Sequence, residues 1–110
     1  MEPEQKEQPI YSTLAHDPDA GESIDAFVIA IAERIDLLQD TESKGELGQV
    51  RRLAHQLVVD AEATGFDSLS RCAAVVEACC LEDDAETVYK NLVELTRIAR
   101  RVRLGHRGSA

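Results

Sequence analysis

The residue best suited to chemistry in this chain is His55, within the stretch RRLAHQLVVDAEATGF that begins at Arg51. At about 100° per residue, Leu53 and Leu57 fall on the opposite side of a helix from His55, so its imidazole is expected to face solvent. A neutral imidazole can act as a nucleophile or carry a proton near pH 7. Arg51 and Arg52 share that face one turn earlier, where their guanidinium groups could stabilise an anion held at the ring. An exposed histidine taken alone is most often a solvated surface residue, so its surroundings decide its interpretation.

Two valines and a glutamate lie close to His55 on the same helix. Val59 and Glu62 follow it by one and two turns, and Val58 lies on the flank between this face and the core. His55 and the two valines form a small apolar spot on a charged helix, which is typical of a contact surface when it is contiguous. Val58, Val59 and the adjoining Glu62 are therefore the candidates for binding a partner. The alternative is that Val58 packs against a neighbouring helix and that Val59 is one of many scattered exposed apolar residues.

The other side chains capable of chemistry have simpler interpretations. Cys72, Cys79 and Cys80 are odd in number, lack the C-x-x-C spacing of zinc sites and fall within one predicted helix. We expect them to be small apolar core residues without a chemical role. His16 lies in an expected turn and His106 in an expected tail, so both are predicted to be solvated. The sequence predicts no metal site and no cofactor.

Composition limits the chain to one small domain. It has 110 residues, of which 44% are hydrophobic and only 4% aromatic, which favours helices over sheets. Residues 97–110 hold five arginines and no acid, so the net charge of −9 leaves −14 on the rest of the chain. This acidic body argues against nucleic acid as the main partner. The acidic start MEPEQKEQP does not resemble a signal peptide and the apolar run AFVIAIA is too short to span a bilayer, so we expect a cytoplasmic protein.

Four amphipathic segments are predicted from apolar residues spaced three, four and seven apart. The first begins with Asp17 as its N-cap and Pro18 as its first helical residue, and the polar stretch DTESKG ends it. The second runs from about Glu46 to Gly65, a residue type that commonly ends helices in a left-handed conformation. The third follows directly, and LEDDAE separates it from the fourth, which starts at Ala85.

Four such helices with short connections predict an all-α fold, an antiparallel up-down-up-down four-helix bundle. The stretch PIYSTLAHD could add a short extra N-terminal helix whose apolar side chains cover one end of the core. These side chains are Ile10, Tyr11 and Leu14. We expect the bundle to occupy residues 10–104, between disordered tails at residues 1–9 and 105–110.

Beginning at Leu53, the sequence LAHQLVVDAEATGFDSL resembles the signature of histidine-containing phosphotransfer (HPt) domains. In that signature a helix carries histidine, followed by leucine at +2, lysine at +3, glycine at +4 and +10, and leucine at +14. The corresponding residues here are His55, Leu57, Val58, Val59, Gly65 and Leu69. Only the two valines depart from the pattern. The stretch DPDAGESIDAFVIAIAERIDLL is similar to the first bundle helix of bacterial HPt proteins, and IYSTLAHDPD to the lead-in of some of them, so the resemblance covers residues 10–103.

The resemblance implies a four-helix bundle whose second helix presents His55 for phosphorylation in a two-component phosphorelay. The implied partners are the receiver domain of a response regulator, a hybrid histidine kinase, or both. Because the receiver supplies Mg²⁺ and the acidic cluster, such a domain needs no cofactor and is a relay protein rather than a true enzyme. We expect it to be a monomer.

The two departures fall where the family performs its chemistry. Lysine at +3 offers an ammonium to the phosphoryl oxygens, a charge-assisted hydrogen bond worth about 1.5–3 kcal/mol that Val58 cannot make. Val59 adds a branched side chain where glycine lets a partner's backbone approach, and Glu62 brings a charge that repels phosphate. Arg51 and Arg52 could compensate from the other side of the imidazole.

The sequence leaves three functions open. The first is a phosphorelay intermediate with His55 as acceptor and Arg51 or Arg52 in place of the lysine. The second is an HPt-like module that has lost efficient transfer and acts by binding a receiver or a kinase. The third is a small helical adaptor whose basic end, RIARRVRLGHR, meets nucleic acid or an acidic partner. Cations in the last turn of a helix also complement its dipole, which explains this end without any partner.

Overall fold

The computed structural model of the chain describes residues 8–108 and the side chains of residues 8–106. Within that range there is no strand, and the helices are α1 (Gly21–Ser43), α2 (Leu47–Ala63), α3 (Asp67–Leu81) and α4 (Ala85–Gly108). Consecutive helices pack against each other, and α4 closes the ring by packing against α1. Because the connections are only a few residues long, neighbouring helices run antiparallel. The predicted all-α four-helix bundle is confirmed.

Backbone geometry in the turns explains where the helices end and begin. Gly45 after α1 and Gly65 after α2 have φ angles of 76° and 82°, a left-handed conformation that glycine adopts without strain. Asp83, between α3 and α4, has a φ of 55°, and aspartate is among the few other residues that tolerate this region. Asp84 caps α4, since its carboxylate accepts hydrogen bonds from the Thr87 N–H at 3.3 Å and the Thr87 hydroxyl at 2.7 Å.

Each helix contributes one stripe of aliphatic side chains to a shared core. The largest side chains with almost no exposed surface are Ile31, Leu38, Val50, Leu57, Leu69, Val76, Val88, Leu95 and Val102. Burying a side chain of this kind contributes about 1.5–3 kcal/mol, so the stripes determine how each helix is rotated. In α2 the buried stripe therefore fixes which side chains face solvent.

The N-terminal segment, residues 8–20, does not form the expected extra helix, and that prediction is wrong. The segment crosses one end of the bundle, where the Ile10 N–H donates to the Arg101 carbonyl and the Thr13 N–H donates to the Gly65 carbonyl, both at 2.9 Å. These bonds to distant residues satisfy backbone groups that a helix would satisfy internally. Long-range packing thus replaces local helix formation here.

The three apolar side chains expected over the core behave differently. Ile10 packs against the core and Leu14 is half-buried, but Tyr11 is 60% exposed. Most of the two expected disordered tails, residues 1–7 and 109–110, lies outside the described residues.

α1 begins at Gly21, later than the predicted start at Pro18. Asp17 is not the N-cap of α1, because it closes a preceding turn instead. Its carboxylate accepts a hydrogen bond from the Asp19 N–H at 2.9 Å, and its carbonyl accepts one from the Ala20 N–H at 3.1 Å.

At the other terminus α4 continues past residue 104, where a disordered tail was expected, and ends at Gly108. Gly105 is buried where α4 passes beneath the N-terminal segment, and a Cβ at this position would collide with the Ile10 carbonyl oxygen. His106, expected in the tail, lies within the helix with its Nδ1 3.7 Å from the Asp25 carboxylate. Packing against the N-terminal segment explains why the helix extends further than its sequence pattern indicates. Along residues 8–108, no helix combines the length and the apolar character needed to cross a bilayer.

Candidate functional site

His55 lies on the exposed face of α2, as its spacing predicts. Its side chain is 62% exposed, whereas Leu57, two residues further on, is fully buried. Leu53 is half-buried and packs against the core from the other side. The imidazole is therefore available to solvent and to another molecule.

A carboxylate from the neighbouring helix holds the imidazole. His55 Nδ1 lies 2.9 Å from Oε2 of Glu77, a residue in the middle of α3 whose side chain is only 25% exposed. An ionised carboxylate has no proton to donate, so this contact requires the hydrogen on Nδ1. The ring is thus oriented by a hydrogen bond between α2 and α3.

Both arginines that the sequence indicated lie beside His55. Arg51, Arg52, Gln56 and Glu77 line a shallow depression together with the imidazole. The Arg52 guanidinium donates a hydrogen bond to the side-chain carbonyl of Gln49 on the same helix. The depression therefore combines one oriented imidazole, one carboxylate and two exposed guanidinium groups.

The amide of Gln56 is directed away from the ring. It donates to the Asp60 carboxylate at 3.1 Å, and Asp60 also forms an ion pair of 2.9 Å with Arg34 of α1. This network lies on the α1 side of α2, whereas Glu77 approaches from the α3 side. Gln56 thus does not compete with Glu77 for the imidazole.

The two valines have separate environments. Val58 is half-buried and packs against the core, and its carbonyl accepts a hydrogen bond of 3.0 Å from the Ser70 hydroxyl on α3. Val59 is 46% exposed and Glu62 is exposed, and neither lines the depression that contains His55. The structure therefore brings Arg51 and Arg52 into one depression with the imidazole, whereas Val58, Val59 and Glu62 lie outside that depression. Val58 thus packs against the core, and its role in binding a partner stays a prediction.

α3 adds an exposed apolar residue to the same side of the bundle. Leu81, one turn after Glu77, is 69% exposed. The contact between His55 and Glu77 sets the antiparallel register of the two helices, and this register places Leu81 at the level of Arg51. The exposed apolar side chains near the imidazole are therefore Leu81 on α3 and Val59 on α2.

The three cysteines are free, and the thiols of two of them, Cys72 and Cys80, are hard to ionise. Burial raises the pKa of Cys72 to about 11, and the Glu94 carboxylate adds to that shift. Burial is also the main cause that raises the pKa of Cys80, and the positive charge of Arg51 partly opposes it. Since the thiolate is the reactive form, the raised pKa values favour a role for these two residues as small apolar residues.

Two arginines at the basic end of α4 interact within the chain. Arg97 forms an ion pair of 2.8 Å with Glu94, and Arg101 Nε donates to the Gln8 carbonyl at 2.8 Å. These contacts give part of the basic end a structural role.

Sequence reasoning missed Glu77 and Leu81. Glu77 lies between two residues of the buried stripe of α3, Val76 and Cys80, and its spacing along the chain shows no link to His55, which is 22 residues earlier. Only a correct pairing of α2 with α3 could have identified it. Within residues 8–108, no group of three histidine, cysteine or acidic side chains is arranged to hold a metal ion.

No protein-family model matches the chain, and no curated protein or solved structure matches it.

Proposed function

We propose that this chain is a histidine phosphotransfer module of a two-component phosphorelay, in which His55 accepts a phosphoryl group from a receiver aspartate and passes it on. The observation that carries the proposal is the imidazole itself. It is 62% exposed on the second helix of a four-helix bundle, and a carboxylate on the next helix orients it. The exposed imidazole on the second helix is what the resemblance to HPt domains implies for this position.

The reaction needs little from the chain beyond position and charge. The unprotonated ring nitrogen attacks phosphorus, a P–N bond forms, and the bond from phosphorus to the aspartate oxygen breaks so that the carboxylate leaves with the electron pair. Mg²⁺ and the acidic groups belong to the receiver, and catalysis of phosphoryl transfer rests mainly on alignment and on stabilising charge. The chain therefore acts as a relay.

Arg51 and Arg52 are the cations available to the phosphoryl oxygens. Both are exposed and line the depression with His55. A guanidinium matches the geometry of a phosphoryl group and can donate two parallel hydrogen bonds to it. Their contribution is reduced by solvent, because exposed charges are screened.

A second candidate is an HPt-like module that binds a receiver or a kinase without efficient transfer. The environment of Val58 favours it, since a side chain packed against the core at this position can supply no charge to a phosphoryl group. Val59 and Leu81 are exposed and offer apolar contact area for a partner. In this case docking persists although the chemistry is weak.

The experiment that separates the two candidates is phosphate transfer from a phosphorylated receiver to the chain and to His55→Gln. Under the first proposal the parent chain acquires an acid-labile phosphate label and the variant does not. If neither protein accepts label while both bind the receiver equally well, the binding module is the better account. Labelling of both proteins would contradict the assignment of His55 as acceptor.

A further inference from the structure

We propose that a cleft beneath the N-terminal segment binds a small primary amine whose apolar body is about the size of one aromatic ring. The cleft lies where this segment crosses the start of α1 and the end of α4, and it has a volume of about 200 Å³. His55 is about two turns of α2 away from this end of the bundle, since α2 ends at Ala63. The site is therefore separate from the depression around the imidazole, and the proposal does not rest on phosphotransfer.

The interior of the cleft is apolar. Its floor consists of three residues of the buried core, Val28, Phe66 and Val102, each of which is at most 5% exposed. Ile10 of the N-terminal segment and Ile24 of α1 are half-buried and form walls. An apolar cavity of about 150 Å³ can hold benzene, so a cleft of about 200 Å³ has room for one ring that carries a short arm.

The roof of the cleft is fixed by contacts of the N-terminal segment with two other parts of the bundle. The Ile10 N–H donates to the Arg101 carbonyl of α4 at 2.9 Å. The Ser12 hydroxyl donates to the Thr64 carbonyl, just after α2, at 2.6 Å. A Cβ on Gly105 would collide with the Ile10 carbonyl oxygen, so this glycine allows the segment to pass close to α4. The cleft is therefore present before a ligand enters, and binding needs little reorganisation of the chain.

The mouth of the cleft is open and has an aromatic rim. Tyr11 is 60% exposed, and its ring lies so close to α4 that a Cβ on Gly105 would be 3.2 Å from it. Ala15 and Gly21 also line the cleft, and a Cβ on Gly21 would have open space around it. A ligand can therefore enter from solvent, and the Tyr11 ring can contact its apolar body.

The cleft has one charged end, where Asp25 of α1 and His106 of α4 lie side by side. Asp25 Oδ1 is 3.7 Å from His106 Nδ1, which is longer than a hydrogen bond, and the Asp25 side chain is 62% exposed. A donor on a ligand can therefore reach the carboxylate. Of the described residues that line the cleft, Asp25 is the only acid and none is lysine or arginine. The carbonyl groups in the last turn of α4 add partial negative charge, so this end favours a cation over an anion.

An ammonium group on a short arm suits both parts of the cleft. It can donate to the Asp25 carboxylate while the ring covers the apolar floor. Burial of the ring supplies most of the binding free energy, and the carboxylate supplies the selectivity. For ligands of similar size, the affinity is thus expected to fall from amine to alcohol to carboxylate.

The test titrates the full chain with 2-phenylethylamine, 2-phenylethanol and phenylacetate at pH 7.5, followed by ¹H–¹³C NMR of the valine and isoleucine methyl groups. We expect saturable shifts at Val28, Val102 and Ile24. The amine should bind about threefold to fivefold more tightly than the alcohol, the range of an exposed ion pair, and phenylacetate should bind most weakly. Because the amine binds the folded chain, it should also raise the midpoint of urea unfolding.

Asp25→Asn separates the effect of the charge from that of the cavity. This variant should bind the amine only as weakly as the alcohol, whose own affinity should stay unchanged. Glu33→Gln, which removes an exposed acid of α1 that does not line the cleft, is the matched control and should bind like the parent. Urea unfolding checks that each variant is folded. The proposal is overturned by an amine that binds no more tightly than the alcohol or phenylacetate, by an equal loss of amine affinity in both variants, or by methyl shifts that do not saturate.

Discussion

Replacing Val58 with lysine should restore the cation that the phosphoryl group lacks on this side of His55. Residues three apart on a helix have Cβ atoms about 5–6 Å from each other, which is within the reach of a lysine side chain. An ammonium in contact with the phosphoryl oxygens forms a charge-assisted hydrogen bond worth about 1.5–3 kcal/mol. If this hydrogen bond forms in the transition state and not in the ground state, it corresponds to a rate increase of roughly 10- to 150-fold.

The substitution also has a cost in stability. Val58 is half-buried and packs against the core, so its removal exposes part of an apolar contact. The loss is expected to be roughly 1 kcal/mol, because only part of the side chain is covered and the stem of lysine can replace some of the contact. The variant should therefore remain folded while the rate rises.

The assay follows the initial rate of His55 phosphorylation by phosphoramidate, with urea unfolding measured in parallel. Val93→Lys is the matched control, since Val93 is a 45% exposed valine on α4 and gains the same charge away from α2. We expect a faster rate for Val58→Lys and the parental rate for the control. Adding Val59→Gly should improve transfer from a receiver, whose backbone must approach α2, more than transfer from phosphoramidate. An unchanged or slower rate in a folded Val58→Lys variant would refute the role assigned to this position.

Three further predictions concern the fold. Gly65→Ala should destabilise the chain by at least about 1 kcal/mol in urea unfolding, because φ is 82° and the new Cβ would lie 2.5 Å from the Ser12 hydroxyl oxygen. Gly48→Ala is the control and should not destabilise the chain, because there is open space where its Cβ would lie. Equal losses of stability in the two variants would contradict this account. Burial raises the pKa of Cys72 to about 11, so at pH 8 it has far less of the reactive thiolate than an ordinary thiol has. Iodoacetamide should therefore alkylate Cys72 roughly a hundredfold more slowly than an ordinary thiol. Rapid modification of Cys72 in the folded protein, detected by mass spectrometry, would disprove its burial. The hydrogen bonds from Thr87 lower the pKa of Asp84 below its usual 3.8, so this carboxylate stabilises the fold fully above that pH and loses its effect as the pH falls through the lowered value. Asp84→Asn should therefore lose less stability than the parent between pH 5 and pH 2, and identical acid profiles would exclude a contribution from this cap.

Local pattern was sufficient for the number and order of the four bundle helices and for the exposure of His55. The stripe that buries Leu57 repeats at helical spacing, and a residue on the opposite face of such a helix must face solvent. The left-handed turn at Gly65 and the start of α4 at Ala85 also follow from residues adjacent in the chain. Each of these features depends on interactions within about one turn, which a sequence records directly.

The contacts between distant segments were decided by tertiary structure alone. Glu77 reaches His55 only because α2 and α3 pack in one particular register, and that register depends on how the side chains of all four helices fill the core. The same packing turned Val58 toward the core, and it held the N-terminal segment against Gly65 and Arg101 as a series of turns instead of a helix. Spacing along the chain determines which face of a helix a residue occupies, but the partner that this face meets depends on the free energy of the whole bundle.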